Sequence, residues 1–347
     1  MLRQKYFYIS VIKINFYHNL MKERNYKFDY IRTIAVITIV ICHYLMYCGG
    51  NTGVGRFLAG GGNSLFFVLS ALLYGLKWKN ENMRPFQGPS YLIKRLVKLA
   101  SAAWPFLLVL TILFIVSGEG FTINSVILNF LFLGYLSKLP GNGHLWFMTI
   151  MMCCYLEFVV LSKYRLSGKM LAVLALLLLV LYIVLENLHI PAHALLSFAY
   201  CAVVFCYADK LMAFAKDLSI LASILMLCLN GLSVALFLDG IFDYNRIWAY
   251  MLTSLCGFSW LVLLLKVVPA KGNRFISYIS SISFEIYLVH HTLCAGPFVS
   301  VSSMSPYFVC QFGLLIMISL FLAHILHLVS ETVSKSSMKT FKKYKYV

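Results

Sequence analysis

The chain reads as an all-α, polytopic integral membrane protein, with about ten transmembrane helices in one bundle and both termini cytoplasmic. Three observations predict this. Of 347 residues, 61% are hydrophobic and 12% charged, with a mean hydropathy of +0.84; soluble domains carry about a quarter charged residues. Apolar stretches of about twenty residues recur along almost the whole length, enough for a helix to cross ~30 Å of hydrocarbon. The basic residues also change sides in step with those stretches.

Ten spans can be placed: 29–48, 63–79, 96–117, 144–162, 170–187, 193–209, 218–238, 247–266, 276–296 and 308–330. An even number puts both ends on one side. Lys and Arg then cluster before span one, between spans two and three, after spans four, six and eight, and in the basic tail. Of the 29 Lys and Arg, 25 fall on the basic side, those at the basic ends of spans included; only Arg56, Lys138 and Arg246 fall in segments on the other side, and Arg32 is the one left over, inside span one. The net charge of +17 is therefore the signature of a positive-inside membrane protein seated in a lipid bilayer, and nucleic acid is not its partner. The region 118–143 is longer than the other connections and broken by Gly and Pro; its apolar middle, Ile123 to Leu136, suits a re-entrant or interfacial helix.

The domain plan is an N-terminal tail over 1–27, a membrane domain over 28–331 and a basic cytoplasmic tail over 332–347. Met21-Lys-Glu-Arg-Asn-Tyr-Lys27 reads as a more natural start than Met1, which makes 1–20 an over-extended reading frame or a loose tail. The ten cysteines are scattered through apolar runs with no C-x-x-C pair, so neither a disulfide framework nor a zinc site is expected.

Arg32 and His43 carry the first chemical signal. At ~100° per residue, eleven positions bring both side chains to one helix face, separated by about 16 Å of rise. A cation and a titratable base within a span are costly to keep in hydrocarbon and mark a functional site. Arg32 lies toward the cytoplasmic end, where a guanidinium suits phosphate oxygens; it also has Asp29 three residues away on the same face, a plain structural pairing. A neutral imidazole at His43 can take a hydroxyl proton near pH 7, or it can simply be satisfied by a neighbour.

Several segments line up in order with one family. Asp29-Tyr-Ile-Arg32 through His43 has the R-x10-H spacing. Gly61-Gly-Asn-Ser-Leu-Phe-Phe-Val-Leu-Ser70-Ala71-Leu-Leu matches F-F-x-L-S-G-F-L, with Ala71 for Gly. Tyr91-Leu-Ile-Lys94-Arg95-Leu-Val-Lys98 is a basic entry to span three. Gly143-His144-Leu-Trp146-Phe-Met fits an H-L-W-F variant, and Ser281-Ile-Ser-Phe-Glu285-Ile-Tyr287-Leu-Val-His290 fits S-x-x-x-Y-L-x-H. Over 28–331 the chain thus resembles the acyltransferase-3 family of membrane O-acyltransferases, in its polysaccharide and exopolysaccharide branch. Two departures stand out. Met151 occupies the position of a Glu five residues after the Trp in the W-S-L-x-x-E form, and Ser101 stands where a Pro is common.

The resemblance implies transfer of an acyl group, acetyl above all, from cytoplasmic acyl-CoA to a hydroxyl of a cell-surface or exopolysaccharide, at a bacterial cytoplasmic membrane. Acyl-CoA would be a donor substrate, with no permanently bound cofactor and no metal. His43 is then the catalytic base or a transiently acylated nucleophile. Arg32 would hold the phosphate end of the donor. Lys94, Arg95 and Lys98 would attract the same anion or anchor lipid headgroups. His290 and Glu285 are candidates to orient or charge-balance His43, or else pack within the bundle. Asn63, Ser64, His144, Trp146 and Tyr287 are candidates for the acceptor cavity. For Asn63 and Ser64 close helix packing is the alternative, and for Trp146 an interfacial anchor. Glu157 has no evident partner, and Glu331 reads as structural. His324 and His327 share a face but make a poor metal pair. A membrane exporter of polysaccharide without acyl transfer is the rival reading.

Overall fold

The computed structural model describes residues 25–50, 52–188, 192–238, 246–298 and 300–344. Residues 1–24, and with them the proposed start at Met21, lie outside the described residues. Among the described residues all regular structure is helical. Helix α1 spans Lys27–Tyr47, α2 Thr52–Ala59, α3 Leu65–Asn80, α4 Gly88–Ser117 and α5 Ile123–Phe130. They are followed by α6 Trp146–Tyr164, α7 Gly168–Asn187, α8 Ala194–Cys206 and α9 Ala208–Asp217. The last five are α10 Ile220–Leu238, α11 Arg246–Val267, α12 Arg274–Ser281, α13 Ser283–Ala295 and α14 Phe308–Tyr344.

Every predicted span has its helix, and the protein is a polytopic helical bundle. By length and composition, five described helices can cross a membrane, or six when α8 and α9, bent by 82°, count as one span. Shorter apolar helical pieces lie at Ile220–Val234 and Met251–Val267. Helix α7 shows the solvent that this exterior expects. It is the most apolar of the long helices, with a hydropathy of 2.6, yet only 11% of its apolar window is buried. That combination belongs against lipid.

The alternation of charge agrees with the packing. Lys27 Nζ donates to Leu265 O (2.7 Å), Arg165 Nη2 to Met83 O (3.0 Å) and Lys266 Nζ to Lys216 O (3.0 Å). Each bond joins two segments assigned to the basic side. At the opposite end Tyr44 Oη donates to Phe308 O (2.5 Å) and Thr292 Oγ1 to Asn142 Oδ1 (2.8 Å).

Four boundaries differ from the sequence reading. Span two is helical from Thr52 rather than 63, passing through a π-helical turn at Gly60–Ser64. Its glycines do not break the helix; they let it press on α1, where a Cβ on Gly62 would collide with Ile39. Span six continues past its predicted end into the bent helix α9. Span nine breaks at Ile282, inside a serine-rich run. Ser281 Oγ donates to Tyr278 O and Ser283 Oγ to Ser280 O, hydrogen bonds that compete with the helical ladder. The last helix runs on to Tyr344, through most of the predicted tail. No Gly or Pro interrupts it there, and Lys335 pairs with Glu331 one turn back at 2.7 Å.

Candidate active site

Helix α1 runs through the middle of the bundle, packed on α2, α12 and α13. Its Arg32 and His43 meet two different environments. Arg32 lines a cavity of about 960 Å³ at the basic end, at the upper limit of ligand-sized pockets (~300–1,000 Å³). Lys94, Arg95 and Lys98 of α4 line the same cavity, joined by Lys77 of α3 and Lys335 of α14. Arg32 Nη1 donates to Ser280 Oγ (3.1 Å), and that hydroxyl donates to Asp29 Oδ1 (3.2 Å). Ser277 Oγ supports the other carboxylate oxygen at 2.9 Å. Ser280 of α12 thus bridges the predicted Asp29–Arg32 pair. The guanidinium of Arg95 lies over the rings of Tyr74 (4.8 Å) and Tyr91 (5.4 Å), which hold a planar cation in a fixed attitude.

His43 sits in a group of four imidazoles. Its Nδ1 is 2.7 Å from Nε2 of His290, and its ring centroid is 4.5 Å from that of His291 and 6.4 Å from that of His144. The hydrogen bonds fix the tautomers. His290 Nδ1 lies 3.0 Å from Ile286 O, a carbonyl that can only accept. With neutral rings, His290 therefore carries its proton on Nδ1 and offers the Nε2 lone pair to His43. His43 donates from Nδ1 and keeps its own Nε2 lone pair for an incoming proton. His144 donates through Nε2 to Leu288 O (3.2 Å), leaving Nδ1 buried with no hydrogen-bond partner among the described residues. His291 donates through Nδ1 to Gly141 O (2.7 Å). His144, His290 and His291 are buried, whereas His43 is only half-buried. It is the accessible base of the group.

The acyltransferase-domain family profile matches residues 25–327. The chain belongs to the acyltransferase-3 family. It is a multi-pass membrane acyltransferase. No curated protein and no solved structure matches it.

For this acyltransferase the predicted residues divide into three sets. Arg32, Lys94, Arg95 and Lys98 come together on one cavity, and His43, His144 and His290 come together in the imidazole group. Tyr287 belongs to neither set alone: it lines the cavity, and its ring lies 5.1 Å from that of His144. The remaining predicted residues lie apart from the imidazole group. Glu285 is not a partner of His43; it lines the basic cavity and accepts from His327 Nδ1 at 3.0 Å. Its place on α13, five residues before His290, turns it to α14 instead. Trp146 packs against Phe67 and His193, outside both the cavity and the imidazole group. Ser64 is buried where the π turn crosses Gly257 of α11, so close packing accounts for it. Asn63 lines no part of the cavity, and its Oδ1 is buried with no hydrogen-bond partner among the described residues. His324 bonds Tyr278 Oη (2.6 Å), and no metal-ligand group occurs among the described residues.

Sequence reasoning missed His291 and the tyrosines around Arg95. His291 offered a weak signal, since adjacent histidines on a helix point about 100° apart. Tyr91 stood in the quoted basic motif one turn before Arg95, but Tyr74 comes from another helix and no spacing brings it there.

Proposed function

We propose that the protein moves an acetyl group from cytoplasmic acetyl-CoA to a hydroxyl of an extracytoplasmic carbohydrate, a cell-surface or exopolysaccharide, at the bacterial cytoplasmic membrane. The observation that carries this reading is the division of labour along α1. At one end is a ligand-sized cavity whose Arg and Lys side chains suit the phosphates of a nucleotide thioester. At the other is an imidazole whose tautomer leaves Nε2 free to accept a proton. The ~16 Å of rise between them matches an extended pantetheine arm.

In the reaction, the acceptor hydroxyl gives its proton to His43 Nε2 as its oxygen attacks the thioester carbonyl. The C–O ester bond forms and the C–S bond breaks. The thiolate of CoA leaves, and His43 returns the proton to it. His290 accepts from Nδ1 throughout, holding the ring in register and stabilising its protonated form.

The test is transfer of labelled acetyl from acetyl-CoA to acceptor glycan by purified, reconstituted protein. His43→Ala should lower the rate by about 10²–10⁴-fold, the usual worth of a positioned base. Glycan flux across the membrane without acylation would overturn the reading in favour of a carrier.

A further inference from the structure

Tyr287 stands between the basic cavity and the imidazoles, with Phe147 packed against it. Phe147 and Tyr287 both line the cavity, with centroids 4.8 Å apart. Their exposures are 6% and 2%. None of His43, His144, His290 and His291 lines that cavity. Beyond the ring of Tyr287 lie those of His144 and His290, at 5.1 and 5.8 Å. The way from the cavity to His43 past Tyr287 runs beside Phe147.

The two rings are held differently. Tyr287 is latched, because its hydroxyl donates to the backbone oxygen of His144. Phe147 has no polar tether. It stacks on Phe67 at 4.7 Å and meets Phe66 edge-on at 6.1 Å. Freeing the latched ring leaves a buried hydroxyl and a carbonyl to be satisfied again, whereas the other ring only slides among apolar neighbours.

We infer that Phe147 sets the length of acyl group this enzyme transfers: against the fixed ring of Tyr287 it admits a short acyl thioester and blocks a long one. The inference rests on the acyl-CoA reading above. An aromatic side chain in a close-packed interior cannot be threaded by a chain of several methylenes unless it moves, and a hydrophobic pocket discriminates by about 10–200-fold per methylene.

The experiment uses nanodisc-reconstituted protein with acetyl-, butyryl- and octanoyl-CoA, reading transfer and, separately, competition against labelled CoA for binding. Wild type should transfer acetyl and decline steeply with chain length. Phe147→Ala should raise the octanoyl-to-acetyl transfer ratio at least about tenfold. Phe147→Leu should fall between, and it carries the test if the alanine variant does not fold. Acetyl transfer retained with an unchanged chain-length profile overturns the inference while leaving the acyltransferase reading intact. If CoA binds but no acyl group moves, a rise in affinity for octanoyl-CoA over CoA in Phe147→Ala alone still supports the gate, and an unchanged ratio overturns it. Failure of both proteins to bind CoA overturns the donor assignment and this inference together.

Discussion

His327 on α14 holds Glu285 on α13, Nδ1 to Oε1, at 3.0 Å. The carboxylate is 5% exposed on the wall of the basic cavity, and its bond ties the last helix to the one that carries His290. A buried carboxylate with a partner stabilises, and one stripped of it costs the desolvation of a charge. Replacing His327 by Ala should therefore destabilise the protein by about 1–3 kcal/mol. Glu285→Gln should cost less, because it removes the charge along with the pairing. Since Glu285 does not touch the imidazoles, kcat should stay within a few-fold of wild type. Thermal unfolding in detergent and acetyl-transfer kinetics check the two halves of this expectation. A large fall in kcat with stability unchanged would return Glu285 to the chemistry.

His290 offers a sharper separation of roles. It gives His43 a lone pair, not a charge, so any neutral acceptor at the same place should serve in part. His290→Ala should lower kcat by about 10–100-fold, on the scale found when the partner of a metal-bound imidazole is removed. His290→Gln should recover much of this, because the amide oxygen can accept from His43 Nδ1–H. His290→Lys offers only donors and should be the poorest of the three. In each variant KM for acyl-CoA should hold, since the basic cavity is not lined by His290. A KM change that matched the fall in kcat/KM would point to collapse of the bundle instead.

The fold was legible because hydropathy and the distribution of Lys and Arg carry independent information, and both divide the chain at the same places. Arg32, Lys94, Arg95 and Lys98 were legible for a related reason: cations at one end of neighbouring spans can only meet at one membrane face. Helix rotation was not legible. Glu285 and His290 lie on one short helix, and sequence spacing alone gave no reason to send the first to α14 and the second to α1. The break at Ile282 that re-aims α13 arises from hydroxyls bonding to local carbonyls, a competition whose outcome depends on what packs outside. The start of span two was likewise hidden from hydropathy: Gly61 and Gly62 are close contacts, with Trp260 and Ile39, inside a helix that already runs from Thr52.

Salt should tell apart the cations that line the cavity. Arg32 is half-buried and anchored through Ser280 to Asp29, so its field acts at short range in a poorly screened site. Lys94 and Lys98 lie on the solvent-accessible face of α4, where counterions screen them more than they screen Arg32. The Debye length falls from about 10 Å at 0.1 M salt to about 3 Å at 1 M, which removes attraction over distances longer than a direct contact. Arg32→Ala should therefore raise KM for acyl-CoA at every ionic strength, with Arg32→Lys recovering only part because an ammonium cannot make the same planar bonds. The double replacement Lys94→Ala, Lys98→Ala should raise KM at low salt and match wild type at 1 M. Steady-state kinetics across that range measure the difference directly. An Arg32→Ala defect that faded with salt as the lysine defect does would mean that this guanidinium steers the donor from a distance and does not grip it.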